Sequence, residues 1–512
     1  MNFDGIELEL LRHRLVAVAE EMGQVLTLAA FSPNIKERRD HSCAVFDERG
    51  EMIAQAAHIP VHLGAAPLCV KAVIEALQLA DGETAVVNDP FAGGTHLPDI
   101  TLVTPVDVGS ARFFVATRAH HADVGGISPG SLPLSTHIDE EGWRTPPVRL
   151  NDAVINSLYA ASRTPDERRG DLAAQRASND LGRKRVMELA ATLGPEVLLE
   201  GAQAIQEHAA RVAGQWFRGL PAGRYASSEV LDDANGDGIK VPLELALTVS
   251  AGGLRFDFSR CGDQVPGPMN AVRAIVESAV FYCLICLIGE DAPTNSGLLR
   301  DVTIVTRPGS VVDAVYPAAV AAGNVETSQR LVDLVFGAFR QVLPGRVPAA
   351  AAGTMNNVLI GSLVGAAHPF VVYETIGGGY GGGPSGGGAS AIQVHMTNTL
   401  NTPVEALEHA FPLRIRRYEV RTGSGGAGAS PGGDGIVREF EALEPCELTV
   451  LAERRRVAPP GADGGEAGSS GTQRIVSGST ITQLPGKATV KLAAGDRFVI
   501  ETPGGGGFGR PV

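Results

Sequence analysis

Apolar residues recur at helical spacing through Ile6, Leu8, Leu10, Leu11, Leu15, Val18, Met22, Val25 and Leu26, which predicts a long amphipathic helix over 6–30. The period then changes. Cys43-Ala-Val-Phe46 and Glu51-Met-Ile-Ala54 flank Asp47-Glu-Arg-Gly50, the pattern of a hairpin whose glycine supplies the turn's positive φ. A second helix is predicted over Ala66–Leu79, and short apolar runs at Thr84–Val87 and Arg112–Thr117 predict strands that run directly into polar clusters. Residues 160–217, rich in Ala, Leu, Glu and Arg, predict helix with a break at Gly194-Pro195. After Gly219 the pattern predicts strands at Val241–Val249 and Leu254–Phe258 and helices at Ala271–Ile288 and Thr327–Val342.

Glycine clusters at 377–388, 423–435, 461–471 and 504–509 separate short β runs such as Glu447–Leu451 and Arg497–Ile500. These patterns predict an α/β (α+β) protein: a mixed α/β body carrying a glycine-rich, β-rich C-terminal region. Three regions are expected, an α/β metal-binding part over 1–220, a further α/β part over 221–370 and the glycine-rich part over 371–512.

Composition narrows the partners. A net charge of -14 with no block of Lys and Arg argues against nucleic acid. The acidic start Met1-Asn2-Phe3-Asp4 lacks the basic and apolar regions of a secretory signal. The most apolar stretch, Ser278–Ile288, is far shorter than the roughly 20 residues that span a bilayer. A soluble, cytoplasmic protein is expected. The six cysteines do not form a disulfide framework, and the Cys283-x-x-Cys286 pair has no second pair at zinc-site spacing, so buried, reduced thiols are expected.

The candidate chemistry lies where the two short strands end. Asn88-Asp-Pro-Phe-Ala-Gly-Gly-Thr-His96-Leu-Pro-Asp99 follows the first, and Pro98 predicts that His96 and Asp99 sit on a turn. Arg118-Ala-His120-His121-Ala-Asp123-Val-Gly-Gly126 follows the second, and neighbouring strands would bring the clusters together at one sheet edge. Histidine and carboxylate donors without a thiolate suit Zn, Mn or Fe in a site with an open position. Such an ion lowers the pKa of bound water, which hydrolysis of a carbonyl-derived centre requires.

The strings Ser32-Pro-Asn-Ile-Lys-Glu-Arg-Arg-Asp40-His-Ser, Ile53-Ala-Gln-Ala-Ala-His58-Ile-Pro-Val-His62-Leu-Gly, and the two clusters above resemble the signature blocks of the hydantoinase B family. So do Thr375-Ile-Gly-Gly-Gly-Tyr-Gly-Gly382, His395-Met-Thr-Asn-Thr399, Asn401-Thr-Pro-Val-Glu405 and Thr502-Pro-Gly-Gly-Gly-Gly-Phe-Gly509. That family includes the C-terminal part of ATP-dependent 5-oxoprolinases, caprolactamase-type subunits and subunits of acetone-type carboxylases.

The resemblance implies a divalent metal, Zn or Mn or possibly Fe, held by His96, Asp99 and His120, with Asp40 as a fourth ligand or an adjacent base. It implies His121 and Asp123 as further catalytic residues, and Arg118 and His395 as substrate-binding residues. It also implies a hydantoinase A-type partner that binds ATP and phosphorylates the carbonyl oxygen of a small cyclic amide, which this chain then hydrolyses. No G-x-x-x-x-G-K-[ST] motif is present to bind ATP here. Gly377-x-Gly379-x-x-Gly382 and Gly504-x-Gly506-x-x-Gly509 match a dinucleotide fingerprint only formally: the first lies in a glycine tract and the second has no room for a following helix, so no cofactor-binding residues are expected. The competing expectations are a subunit of an acetone- or acetophenone-type carboxylase and a non-catalytic scaffold for the ATP-binding partner.

Overall fold

The structure is a computed structural model that describes residues 3–56, 58–289 and 292–511. Its first helix, Gly5–Ala29, starts at a capping box in which the Asp4 carboxylate accepts the backbone N–H groups of Ile6 and Glu7. The buried stripe Leu11, Leu15, Val18, Met22 and Leu26 is the face that the 3.6-residue period selects.

That face packs on a six-stranded antiparallel sheet. Its strand order is Met52–Gln55, His41–Phe46, Ala111–His120, Asp99–Val108, Ala85–Val87 and Val148–Arg149. Cys43, Val45, Phe113 and Val115 meet the helices Gly5–Ala29, Pro165–Leu193 and Pro195–Arg218 on one side of the sheet. The alternate residues Ala44, Phe46, Phe114 and Ala116 enter the main core on the other side, shared with the helices Ala65–Ala76, Arg273–Ile288 and Ser328–Val342.

Two differences from the expected elements matter for the site. The strand predicted over 112–117 runs from Ala111 to His120, so Arg118 and His120 belong to the strand itself. The strand Asp99–Val108, absent from the expected set, lies between the two predicted strands. Pro105 within it disguises the pattern. His96 and Pro98 lie in the turn that Pro98 predicts, and Asp99 is the first residue after it.

A second sheet orders Val302–Val305, Gly253–Asp257, Val241–Ser250 and Gly223–Leu231. A third joins Val371–Thr375, Asn357–Ser362, Cys446–Leu451 and Lys487–Leu492, and a fourth joins Leu413–Arg421, Gly435–Ala442, Arg497–Glu501, Thr472–Ser477 and Thr480–Leu484. These last two share a core built from Val358, Ile360, Leu448, Val450, Phe440 and Phe498.

The glycine clusters pack main chain directly on main chain. A Cβ on Gly379 would lie 1.9 Å from the Gly433 carbonyl oxygen, one on Gly432 2.0 Å from that of Gly505, and one on Gly505 2.1 Å from that of Tyr380. No side chain fits there. The same segments exchange hydrogen bonds laterally, Gly433 N to Tyr380 O at 2.8 Å, Gly505 N to Gly433 O at 2.9 Å and Gly426 N to Gly505 O at 2.8 Å. Glycine is therefore required by close approach, and the tracts form an ordered bundle that satisfies its own polar groups.

Buried ion pairs fasten this region to the body. Lys487 Nζ lies 2.6 Å from Glu453 and 3.1 Å from Asp233, and Arg454 lies 2.6 Å from Asp333. All six cysteines are free; Cys283 is buried as expected, but Cys286 is exposed near the outer end of its helix. No helix among the described residues is long and apolar enough to cross a membrane.

Candidate metal centre

Antiparallel pairing sets Asp99, the first residue of its strand, opposite His120, the last residue of the neighbouring strand. The turn before Asp99 carries His96. One donor atom from each of His96, Asp99 and His120 lies within 4.8 Å of the others, and all three residues are buried. Asp99 Oδ1 is 3.2 Å from His96 Nε2 and 3.4 Å from His120 Nδ1, while Asp99 Oδ2 is 3.5 Å from His62 Nε2.

Burial alone pushes the Asp99 pKa up, but the facing His96, His62 and His120 rings prevail and hold the carboxyl well below its usual range. Burial also opposes protonation of His96, and there the Asp99 charge wins and raises the pKa. At His120 burial wins, and the pKa falls.

His96 Nδ1 lies 3.2 Å from the Ala321 carbonyl, to which it donates, leaving Nε2 to face Asp99 and Asn324. Glu141 holds this carbonyl's segment by accepting the N–H groups of Val320 and Ala321 at 2.8 and 3.0 Å. His120 stacks on Tyr373 with ring centroids 4.7 Å apart, and the Arg38 guanidinium covers the same tyrosine ring at 4.5 Å.

Asp40, His62, Asp99, His120, Asn324 and Tyr373 line a cavity of about 20 Å³, room for one water-sized particle. Asp99 Oδ1, His120 Nε2 and Asn324 Oδ1 are buried there without hydrogen-bond partners. Buried polar atoms are normally paired, so the unpaired Asp99 and His120 atoms within a two-histidine, one-carboxylate set fit a divalent cation.

Asp40 faces this cavity but stands outside the three-residue donor group, and its carbonyl accepts the His120 N–H at 3.0 Å. The structure does not bring His121 or Asp123 to the centre. Beyond the strand's last residue the chain turns away, and His121 Nε2 hydrogen-bonds Gln175 at 2.9 Å while Asp123 pairs with Arg163 at 2.9 Å.

Arg118 is buried on the same strand face as His120. Its Nε donates to Thr101 at 2.9 Å, and both terminal nitrogens lack partners. His395 sits at a φ of 52° among Tyr282, Phe336 and Tyr380, with burial pulling its pKa down to about 4. The next residue, Met396, lines the cavity.

His62 and Asn324 are the participants that the spacing of chemical residues does not reveal. His62 appears in the sequence only within the longer block Ile53–Gly64, and Asn324 lies 228 residues from His96.

These features define a mixed α/β protein with a buried His–Asp–His centre beside a main-chain-packed glycine bundle. The sequence profile of the Hydantoinase B/oxoprolinase family matches residues 4–511, and the chain belongs to that family. It is 39% identical to 5-oxoprolinase 1 of Arabidopsis thaliana, over 99% of this chain but 42% of that protein. It is 37% identical to an uncharacterized protein of Methanocaldococcus jannaschii, over 99% of this chain and 91% of the relative. The crystal structure of the ATP-dependent caprolactamase from Pseudomonas jessenii superposes with a TM-score of 0.92 at 26% identity, covering 100% of this chain and 93% of that one. The chain thus spans about two fifths of the plant 5-oxoprolinase that it matches.

Proposed function

We propose that this chain is the metal-dependent hydrolytic part of an ATP-dependent cyclic-amide hydrolase. The buried group His96, Asp99 and His120, with its unpaired donor atoms, carries this proposal. A relative called 5-oxoprolinase and a structural neighbour called an ATP-dependent caprolactamase support the substrate class.

An unstrained cyclic amide is a poor electrophile. Phosphorylation of its carbonyl oxygen, on a hydantoinase A-type polypeptide, makes the ring carbon electrophilic; water adds to that carbon, the ring C–N bond breaks as the nitrogen takes a proton, and the acyl phosphate so formed is hydrolysed to carboxylate and inorganic phosphate. His96, Asp99 and His120 would hold a divalent ion, which would supply water of lowered pKa at the site. Asp40, on the cavity wall, takes the proton from the attacking water. The unpaired terminal nitrogens of Arg118 are suited to an anionic group of the activated substrate. His395, packed among Tyr282, Phe336 and Tyr380, keeps its substrate-binding role only from the family resemblance.

The experiment combines this chain with a hydantoinase A-type polypeptide and assays ring opening of 5-oxoproline, hydantoin and caprolactam with and without ATP. Ring opening that requires both chains and ATP is the expected result. ATP hydrolysis or ring opening by this chain alone contradicts the proposal.

A further inference from the structure

Asn324 occupies an unusual backbone. Gly323–Thr327 forms a π-turn immediately before the helix Ser328–Val342, and such turns are rare and concentrate at functional sites. The turn is tightly seated: a Cβ on Gly323 would lie 1.9 Å from the Asn270 carbonyl oxygen, and Ser328 Oγ binds the Asn324 carbonyl at 2.7 Å.

The side chain is 3% exposed. Its Nδ2 lies 3.0 Å from His96 Nε2 and donates to Asp99 Oδ2 at 3.4 Å, whereas its Oδ1 has no partner. Because His96 Nδ1 donates to Ala321 O, Nε2 is the ring nitrogen left to bind a metal ion. The amide N–H therefore engages the donor atoms that a cation engages, and the positive end of the amide dipole stands in for the ion.

An ion at His96 and Asp99 displaces that N–H. The smallest movement that does so is a half-turn of the amide, which exchanges the two ends and brings the unpaired oxygen to face the ion.

We propose that Asn324 is a further protein ligand, its Oδ1 binding the divalent cation held by His96, Asp99 and His120; this inference rests on the metal centre proposed above. A neutral amide oxygen adds a hard donor without a second negative charge, so a divalent ion keeps a net positive charge and its effect on bound water.

The test measures Mn²⁺ and Zn²⁺ affinity, by competition with a chelating dye, for wild type, Asn324→Leu, Asn324→Asp and His96→Ala, each checked for fold by circular dichroism. Asn324→Leu should bind at least tenfold more weakly, and Asn324→Asp, which keeps an oxygen there, should retain wild-type affinity or exceed it. A folded Asn324→Leu protein with wild-type affinity overturns the inference alone. Loss of binding in both Asn324 variants also overturns it, because the amide N–H is then the group required. A wild-type protein no tighter than His96→Ala overturns the metal centre itself and this ligand with it.

Discussion

Asp99 and His120 are direct partners in an antiparallel ladder, and Asp99 Oδ1 lies 3.4 Å from His120 Nδ1. The centre is therefore anchored on two adjacent strand ends, and the turn carrying His96 supplies the third donor. Strand ends hold side chains more firmly than free loops do, which suits a ligand set.

Asp40 lines the cavity but does not join the three-residue donor group. Asp40→Asn should keep bound metal while lowering kcat by roughly 10²-fold or more, the usual contribution of a positioned base. Metal analysis paired with the ATP-dependent ring-opening assay checks this, and loss of the metal would instead make Asp40 a ligand.

Glu141 carries a pH signature. Burial raises its pKa from 4.5 to about 7, against hydrogen bonds from Ala321 N, Ser135 and Val320 N. Its Oε2 is buried without a partner, consistent with a protonated carboxyl. The folded state therefore binds a proton more tightly than the unfolded state: this stability is fully present below pH 4.5 and is lost as pH rises through about 7. The change amounts to at most roughly 3 kcal/mol. Glu141→Gln should flatten the dependence of denaturation midpoint on pH across that window. An unchanged slope would remove Glu141 as its source.

The glycine bundle makes a steric prediction. In Gly505→Ala the new Cβ meets the Tyr380 carbonyl oxygen at 2.1 Å, an atom that cannot move without breaking the lateral hydrogen bond from Gly433 N. Destabilisation of about 1–3 kcal/mol or more is expected from such overpacking. Gly5→Ala, where the added methyl meets nothing within 4 Å, is the control and should be nearly neutral in thermal melts.

How much of this was legible in the sequence depends on range. The helix Gly5–Ala29 follows from local periodicity because one face of it is buried, and the hairpin His41–Gln55 follows from two apolar runs flanking a glycine-containing turn. His96, Asp99 and His120 stand out as polar residues beside glycines next to apolar runs. The strand Asp99–Val108 does not, since Pro105 interrupts its pattern and both faces are buried, which removes the usual alternation. Asp40 is visible only through family resemblance. Asn324 is hidden because an asparagine in an Ala-Gly-Asn-Val run has no local signature, and its meaning comes from contact across 228 residues. The glycine tracts read as loops because their order comes from neighbours in space.

The proposed function requires a metal ion held by His96, Asp99 and His120 together. Its most direct test is the metal content of the purified chain, by inductively coupled plasma mass spectrometry, for wild type and for His96→Ala, Asp99→Ala and His120→Ala. Wild type should carry about one divalent ion per chain, and each variant should lose it while keeping a wild-type circular dichroism spectrum. A His96→Ala or His120→Ala protein that retained the full wild-type metal content would contradict the account.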